Sequence, residues 1–431
     1  MAIQYRETTL DNGLRIAAEI DPTAHSAAMG FFVKTGARDE DAQLMGVSHF
    51  LEHMMFRGSR NVGPEEHAHL IARLGGDCNA FTSPDATVYH QTVPAAAVGE
   101  VFRLEADRFQ QLELKNEHLE VERKVILEEL RVRENQPISR ALTQIRELIS
   151  GDHPYALDPL GRRAALEEME VADLEEFYRR CYRPDRTVAV ICGAVKLDHI
   201  QDLALRYFDN WRAPQGDLPR SQPPVYTPHS GSISCPLPLE IPIAARIYRT
   251  LPLAEIDKPA LDLLVALLSS GISSPIREAL VRKRRLCVEA GCVNMIGAHG
   301  GLLICFGAFL PPGRHAPRQA ILKDLAEDLA TQGPDPEQFG HHLKRFRKHR
   351  AQDGYSCQQQ MMGLGSAELL EGGFEKYTHG LEVLAAVTPE RIQAMARDLL
   401  QPQHTLELDI TPENTPWWML PVGLFTRLWP R

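Results

Sequence analysis

The sequence predicts an α+β protein of two related domains, each an antiparallel-rich sheet packed with helices. Three observations carry this reading. Short apolar stretches of strand length alternate with long amphipathic stretches in both halves of the chain. A proline-rich segment interrupts the middle, with Pro214, Pro219, Pro223, Pro224 and Pro228 flanked by Gly216 and Ser221. That composition favours extended, semi-rigid chain. Finally, one helix–turn–strand order occurs twice. Asp173, Leu174 and Phe177, then Pro184, then Thr187 to Val190, recur as Arg391, Ile392 and Met395, then Pro402, then Thr405 to Leu408, every pair 218 positions apart. A shared offset over three elements points to internal duplication. The expected division is 1–212, a linker at 213–228, and a related domain at 229–431.

Strand patterns fall at Gly13 to Ala18, Ala27 to Val33, Ala86 to Val93, Thr187 to Cys192, Ala244 to Tyr248 and Leu302 to Phe309. Helical patterns fall at Leu44 to Phe56, Pro64 to Leu74, Val98 to Gln111, His118 to Glu134, Leu261 to Leu268 and Arg318 to Ala330. In the Pro64 to Leu74 stretch, His67 and His69 stand beside Glu65 and Glu66 and read as a solvated helix face. The last residues, Trp417 to Arg431, are aromatic but broken by Pro421 and Pro430, and read as a tail that docks on a surface.

Composition bounds the function classes. The chain has 431 residues, 44% hydrophobic and 24% charged, enough for substantial cores without staples. Its formal charge of −10 argues against a dedicated nucleic-acid binder. No run approaches the ~18 apolar residues of a membrane helix, and no apolar leader is visible at the N-terminus. The eight cysteines form no CxxC pair and sit mostly in apolar runs, as reduced thiols do. The expected compartment is the cytoplasm, or the periplasm if the N-terminus is processed.

The chemistry concentrates in His49-Phe50-Leu51-Glu52-His53. On a helix, His49 and His53 lie about 40° apart in projection and share a face, with Glu52 about 60° away on the other side. Met45 and Phe56 share that sector, so it points inward. Two imidazoles one turn apart suit a tetrahedral divalent metal, and the adjacent carboxylate is placed to take a proton from water. A third ligand is sought on the helix around Val121 to Val132. There Glu122, Val125, Ile126 and Glu129 form one stripe, so two carboxylates fall on its apolar face, where each needs a partner. Glu128 projects about 120° from Glu122, toward solvent. Position selects Glu129 or Glu122 over Glu128 and does not choose between the two.

HFLEH has the inverted zincin order, HxxEH. With Gly46, Phe56-Arg-Gly58, Gly75-Gly76, Asn79-Ala80-Phe81-Thr82, Glu122 to Glu129, Asp11 to Leu14, Gly161 and the Pro184 turn, the first half resembles the M16 (pitrilysin/insulinase) peptidases. The likeness is closest to the short bacterial and mitochondrial-processing-peptidase-like branch. The second half matches by general plan. The resemblance implies a zinc endopeptidase acting on peptides or unfolded segments. In it His49, His53 and Glu129 would bind Zn2+, Glu129 following His53 by the family spacing of 76 residues. Glu52 would be the general base, and Glu122 would support the site from behind the ligands. Asn79, Ala80, Phe81 and Thr82 resemble the segment that binds substrate backbone as an added strand.

One feature departs from the pattern. Active members also use an Arg and a Tyr, seven residues apart, from the second half. Aligned on Leu280 and Leu286, those positions are Val281 and Val288 here, and a shift by one offers Arg282 and then Glu289. Relatives of this length form two-chain clamshells, so the chain is expected to be one half of such a shell. The resemblance then implies a heterodimer with a homologous M16 subunit that supplies the pair, with a homodimer expected in isolation. The competing expectation is a non-catalytic structural or assembly subunit of the same family.

Overall fold

The computed structural model describes residues 4–213, 230–237, 239, 241–269, 274–310, 318–353, 356–401 and 405–413. Beyond residue 213, the expected linker at 213–228 lies outside them, as does the tail Trp417 to Arg431. The first half runs β1 (Gln4–Thr9), β2 (Arg15–Ile20), β3 (Ser26–Val33), α1 (Val47–Met54), α2 (Glu66–Arg73), β4 (Asp77–Thr82), β5 (Thr87–Pro94), α3 (Val98–Gln110), α4 (Asn116–Glu134) and α5 (Pro137–Ser150). It continues with α6 (Arg163–Glu168), α7 (Val171–Cys181), β6 (Thr187–Gly193) and α8 (Leu197–Phe208). The second half holds β7 (Gly231–Leu237), β8 (Ile243–Thr250), α9 (Lys258–Ser269), α10 (Pro275–Arg277), β9 (Cys287–Gly297), β10 (Gly300–Phe309) and α11 (Arg318–Gln332). After these come α12 (Pro336–Asp353), α13 (Cys357–Ser366), α14 (Glu375–Thr378), α15 (Gly380–Ala385), α16 (Pro389–Leu399) and β11 (Thr405–Pro412).

The expected α+β class with two related halves is what the structure contains. The sheets are ordered β1-β2-β6-β3-β5-β4 and β7-β11-β8-β10-β9. Without the edge strand β1 the two orders coincide, including one parallel pair in each, β2 with β6 and β7 with β11. Val188 pairs with Arg15 and Leu406 with Gly231, so Val188 and Leu406, 218 apart, each begin the parallel ladder of their sheet.

Each sheet buries one face on its own helices. Phe31, Phe50, Phe102, Phe109 and Phe208 form the centre of the first core, and Leu261, Leu264, Leu303, Leu322 and Ile392 lie in the second. The opposite face of each sheet is covered by a helix from the other half. Met361 and Leu364 of α13 pack on Ala28, Phe32, Val190 and Cys192 of the first sheet. Ala141 and Ile149 of α5 pack with Ala245, Ile247, Leu302, Leu406 and Leu408 of the second. The approach is close: a Cβ on Gly365 would stand 2.1 Å from the Phe32 ring. Strands covered on both faces read as continuous apolar runs, and every residue of β6, Thr-Val-Ala-Val-Ile-Cys-Gly, is buried.

All eight cysteines are free, and Cys181, Cys192, Cys287, Cys292 and Cys305 are buried. Among the described residues no helix is long and apolar enough to cross a membrane. Leu364→Ala removes a fully buried side chain from the seam between the halves. It is expected to cost about 2–4 kcal/mol, read as a lowered midpoint in urea unfolding followed by circular dichroism.

Candidate metal centre

Helix α1 is fixed at its start by a buried carboxylate. Glu40 accepts hydrogen bonds from the backbone N–H of Gly46 (2.7 Å) and of Ser48 (3.0 Å). Both donors belong to the first turn, where a helix leaves N–H groups unpaired and favours negative charge. Gly46 itself takes φ 98°, and a Cβ there would lie 2.9 Å from Gly161. Gly161 also has positive φ and abuts Met45 and Gly46. Two glycines in contact therefore let the 158–161 loop seat the helix start.

From this start, α1 buries Phe50, Leu51 and Met54 and carries His49, Glu52 and His53 along its side. Helix α4 packs against α1, with Leu119, Glu122, Ile126 and Leu130 as its buried residues. The pairing brings three donor atoms together. Glu129 Oε2 lies 3.7 Å from His49 Nε2 and 3.7 Å from His53 Nε2, and the three side chains fit within one metal-sized cluster. Ligand atoms around a tetrahedral ion with bonds of ~2.0–2.1 Å stand roughly 3.4 Å apart. Two imidazole nitrogens and a carboxylate oxygen at this spacing fit zinc in both geometry and donor type.

The surroundings set the state of each group. His53 Nδ1 lies 2.7 Å from Glu122 Oε2. An ionised carboxylate only accepts, so Nδ1 carries a proton, and in the neutral ring the lone pair lies on Nε2, the nitrogen that faces Glu129. Burial pulls the His53 pKa down, but the hydrogen bond and charge of Glu122 outweigh it and the net shift is upward. Burial would raise Glu122, yet the hydrogen bonds from His53 and Arg57 hold it below the ordinary carboxylate range. Arg57 bridges Glu122 and Glu65, the second contact at 2.7 Å. Burial, aided by the neighbouring His53, lowers His49 to about 3, which leaves a neutral imidazole at physiological pH. Burial raises Glu52, opposed by a 2.6 Å hydrogen bond from the Thr82 hydroxyl to Oε2.

Thr82 is the last residue of β4, which among the described residues is an edge strand paired with β5 alone. Asn79 and Phe81 are exposed along this edge, while Ala80 and Thr82 are half-buried. Along this edge the Ala80 N–H donates to the Asn79 side chain (2.9 Å), and the Thr82 hydroxyl joins the strand to the Glu52 carboxylate.

Two sequence expectations change. Glu129 does not lie on the buried stripe of α4. Its side chain is 48% exposed and Val125 is exposed beside it, because Leu130 and not Glu129 continues the stripe from Ile126. The cluster therefore opens to solvent on the Glu129 side, while Glu122 is the buried carboxylate. Glu128 is exposed as expected, 3.3 Å from Arg131. His67 is not on a solvated face: it is buried, 3.1 Å from Glu105, whose carboxylate is held by Arg108. Only His69 of that pair is exposed. Sequence reasoning missed Glu40, whose partners are backbone amides and leave no spacing signature, and the hydrogen bond from Thr82 to Glu52.

Two family models match the chain in succession. The model for insulinase-type peptidases of family M16 matches residues 15–156, and that for the M16 inactive domain matches residues 168–346. An uncharacterised zinc protease of Mycobacterium tuberculosis is 29% identical over 94% of this chain and 92% of its own length. The mitochondrial-processing peptidase subunit beta of Saccharomyces cerevisiae is 30% identical over 54% of this chain and 48% of its own. A protease from Helicobacter pylori superposes with a TM-score of 0.86 at 21% identity, over 95% of this chain and all of that one.

Glu40→Ala leaves the buried Gly46 and Ser48 amides without their acceptor. The substitution is expected to cost about 1–3 kcal/mol in urea unfolding, whereas Glu128→Ala at the surface stays within about 0.5 kcal/mol of the parent.

Proposed function

The chain belongs to peptidase family M16, and on that basis we propose that it is the zinc-bearing subunit of an endopeptidase that cleaves peptides or unfolded segments. As a member of this family with zinc-protease relatives, it is a metallopeptidase that uses Zn2+. The observation that carries the finer reading is the convergence of His49 Nε2, His53 Nε2 and Glu129 Oε2 beside a buried, proton-seeking Glu52.

In this reading His49, His53 and Glu129 would hold the zinc. The chemistry supplied by bound zinc is Lewis acidity toward water and a peptide carbonyl. Glu52 does the proton work. Burial raises its proton affinity, so it takes a proton from the attacking water and returns it to the leaving amine. The Thr82 hydroxyl holds Oε2 and leaves Oε1 for that transfer. Glu122 fixes the His53 ring and its tautomer through Nδ1. The free edge of β4, Asn79 to Thr82, pairs with the backbone of an extended substrate and so recognises peptides with little regard for sequence.

The Arg/Tyr pair comes from a homologous partner. Val281 packs against the second core and Val288 is half-buried in β9, so neither position offers a polar group to a substrate. The same two valines favour the second reading, a non-catalytic assembly subunit, and one set of measurements separates the readings.

Glu52→Gln is expected to abolish peptide hydrolysis by the assembled enzyme while about one zinc per chain remains by elemental analysis; unchanged turnover refutes the base. Glu122→Ala is expected to weaken zinc binding by about 10–100-fold in competition with a chromogenic chelator. Mixing the chain with a homologous subunit bearing Arg and Tyr seven residues apart is expected to raise peptide cleavage at least tenfold. Full activity of the isolated chain sinks the partner requirement, and zinc-free chains in an active assembly favour the structural reading.

A further inference from the structure

The formal charge is divided unevenly. Residues 1–213 hold 25 Lys and Arg against 35 Asp and Glu, while residues 214–431 hold 22 of each. Within that neutral second half, α12 is strongly basic: His341-His342-Leu343-Lys344-Arg345-Phe346-Arg347-Lys348-His349 contains no acidic residue. His341, Lys344, Arg345, Arg347, Lys348 and His349 are exposed, while Phe339 and His342 are buried and Leu343 and Phe346 half-buried. The exposed set spans an arc of roughly 200° around the helix.

These cations are unsatisfied. Among the described residues none of Lys344, Arg345, Arg347 and Lys348 forms an ion pair. The corresponding helix of the first half, α4, pairs Arg123 with Glu120 at 3.0 Å and Arg131 with Glu128 at 3.3 Å. On α12 the i,i+3 and i,i+4 neighbours are like-charged instead: Lys344 with Arg347 and Lys348, and Arg345 with Lys348. Such pairs repel and destabilise a helix. A bound anion relieves that repulsion. Helix α15 packs beside α12 and exposes Leu381 and Val383, while its acidic residue, Glu382, forms no ion pair with the basic face.

We propose that α12 is a docking site for an acidic peptide segment, its carboxylates on Lys344, Arg345, Arg347 and Lys348. From His341 to His349 the patch is ~12 Å long, about four residues of extended peptide. A nucleic acid fits less well, because a long polyanion would run from this short patch onto a chain whose first half is strongly acidic. The proposal stands on the charge and exposure of α12 and does not require the hydrolase reading.

The test is fluorescence anisotropy with the full-length chain carrying Glu52→Gln and a labelled octapeptide, Glu-Glu-Leu-Glu-Glu-Leu-Glu-Glu. Binding is expected at 50 mM salt and should weaken at least tenfold by 200 mM, as screening demands. K344Q/R345Q/R347Q/K348Q is expected to lose at least tenfold in affinity, while the charge-keeping K344R/R345K/R347K/K348R retains it. The peptide with Gln for every Glu should not bind. If the four-Gln chain fails to fold, the single variants R347Q and K348Q replace it, each expected to lose at least twofold. No binding at 50 mM salt, equal affinity of the Gln variants, or tighter binding of a single-stranded octanucleotide to the same face overturns the proposal.

Discussion

The candidate centre depends on α4 being held at both ends. Along its length, Leu119 and Ile126 anchor it in the first core beside α1. At its end, two residues separate Glu134 from Pro137, where α5 begins and crosses to the second sheet. The position of Glu129 relative to the two histidines is thus set by burial on both halves of the molecule, through a helix that belongs to one of them. Hydrophobic burial is non-directional, so the angular precision comes from polar contacts laid over it: Glu40 on the start of α1, Glu122 on His53, and Thr82 on Glu52.

Those contacts share a design. Each is a carboxylate whose partner comes from another element, and each side chain is buried or nearly so. A buried carboxylate without partners is costly, so each carboxylate ties neighbouring elements together. The contacts meet on α1, which is tied to the loop before it, to α4 and to the edge of β4. The group that moves protons in the proposed reaction is consequently joined to the strand proposed to hold the substrate.

Much of this was legible in the sequence, for physical reasons that differ by residue. His49, Glu52 and His53 share one helix, where 3.6-residue periodicity relates their directions, and the motif's order is diagnostic. The duplication was legible because both copies place a proline at the same offset between a helical and a strand pattern. Glu129 was found, but its exposure was misjudged: a stripe drawn through Glu122, Val125, Ile126 and Glu129 is one helical position away from the observed stripe ending at Leu130. His67 was misread because its neighbours Glu65 and Glu66 are exposed, while its partner Glu105 lies 38 positions away on α3. Glu40 was invisible because it binds backbone amides, which every sequence offers. The covering of each sheet by α5 and α13 was equally hidden, since an amphipathic helix shows that it has an apolar face and not which sheet receives it.

The crossing helices have a further consequence. Each half keeps its own core, yet the outer face of its sheet, with Phe32 and Val190 in one and Ile247 and Leu408 in the other, is closed by the other half. Taken singly, either half would turn that apolar face to water. Two equivalent units, each lending the same element to its twin, have the geometry of a domain-swapped dimer, here contained within a single polypeptide.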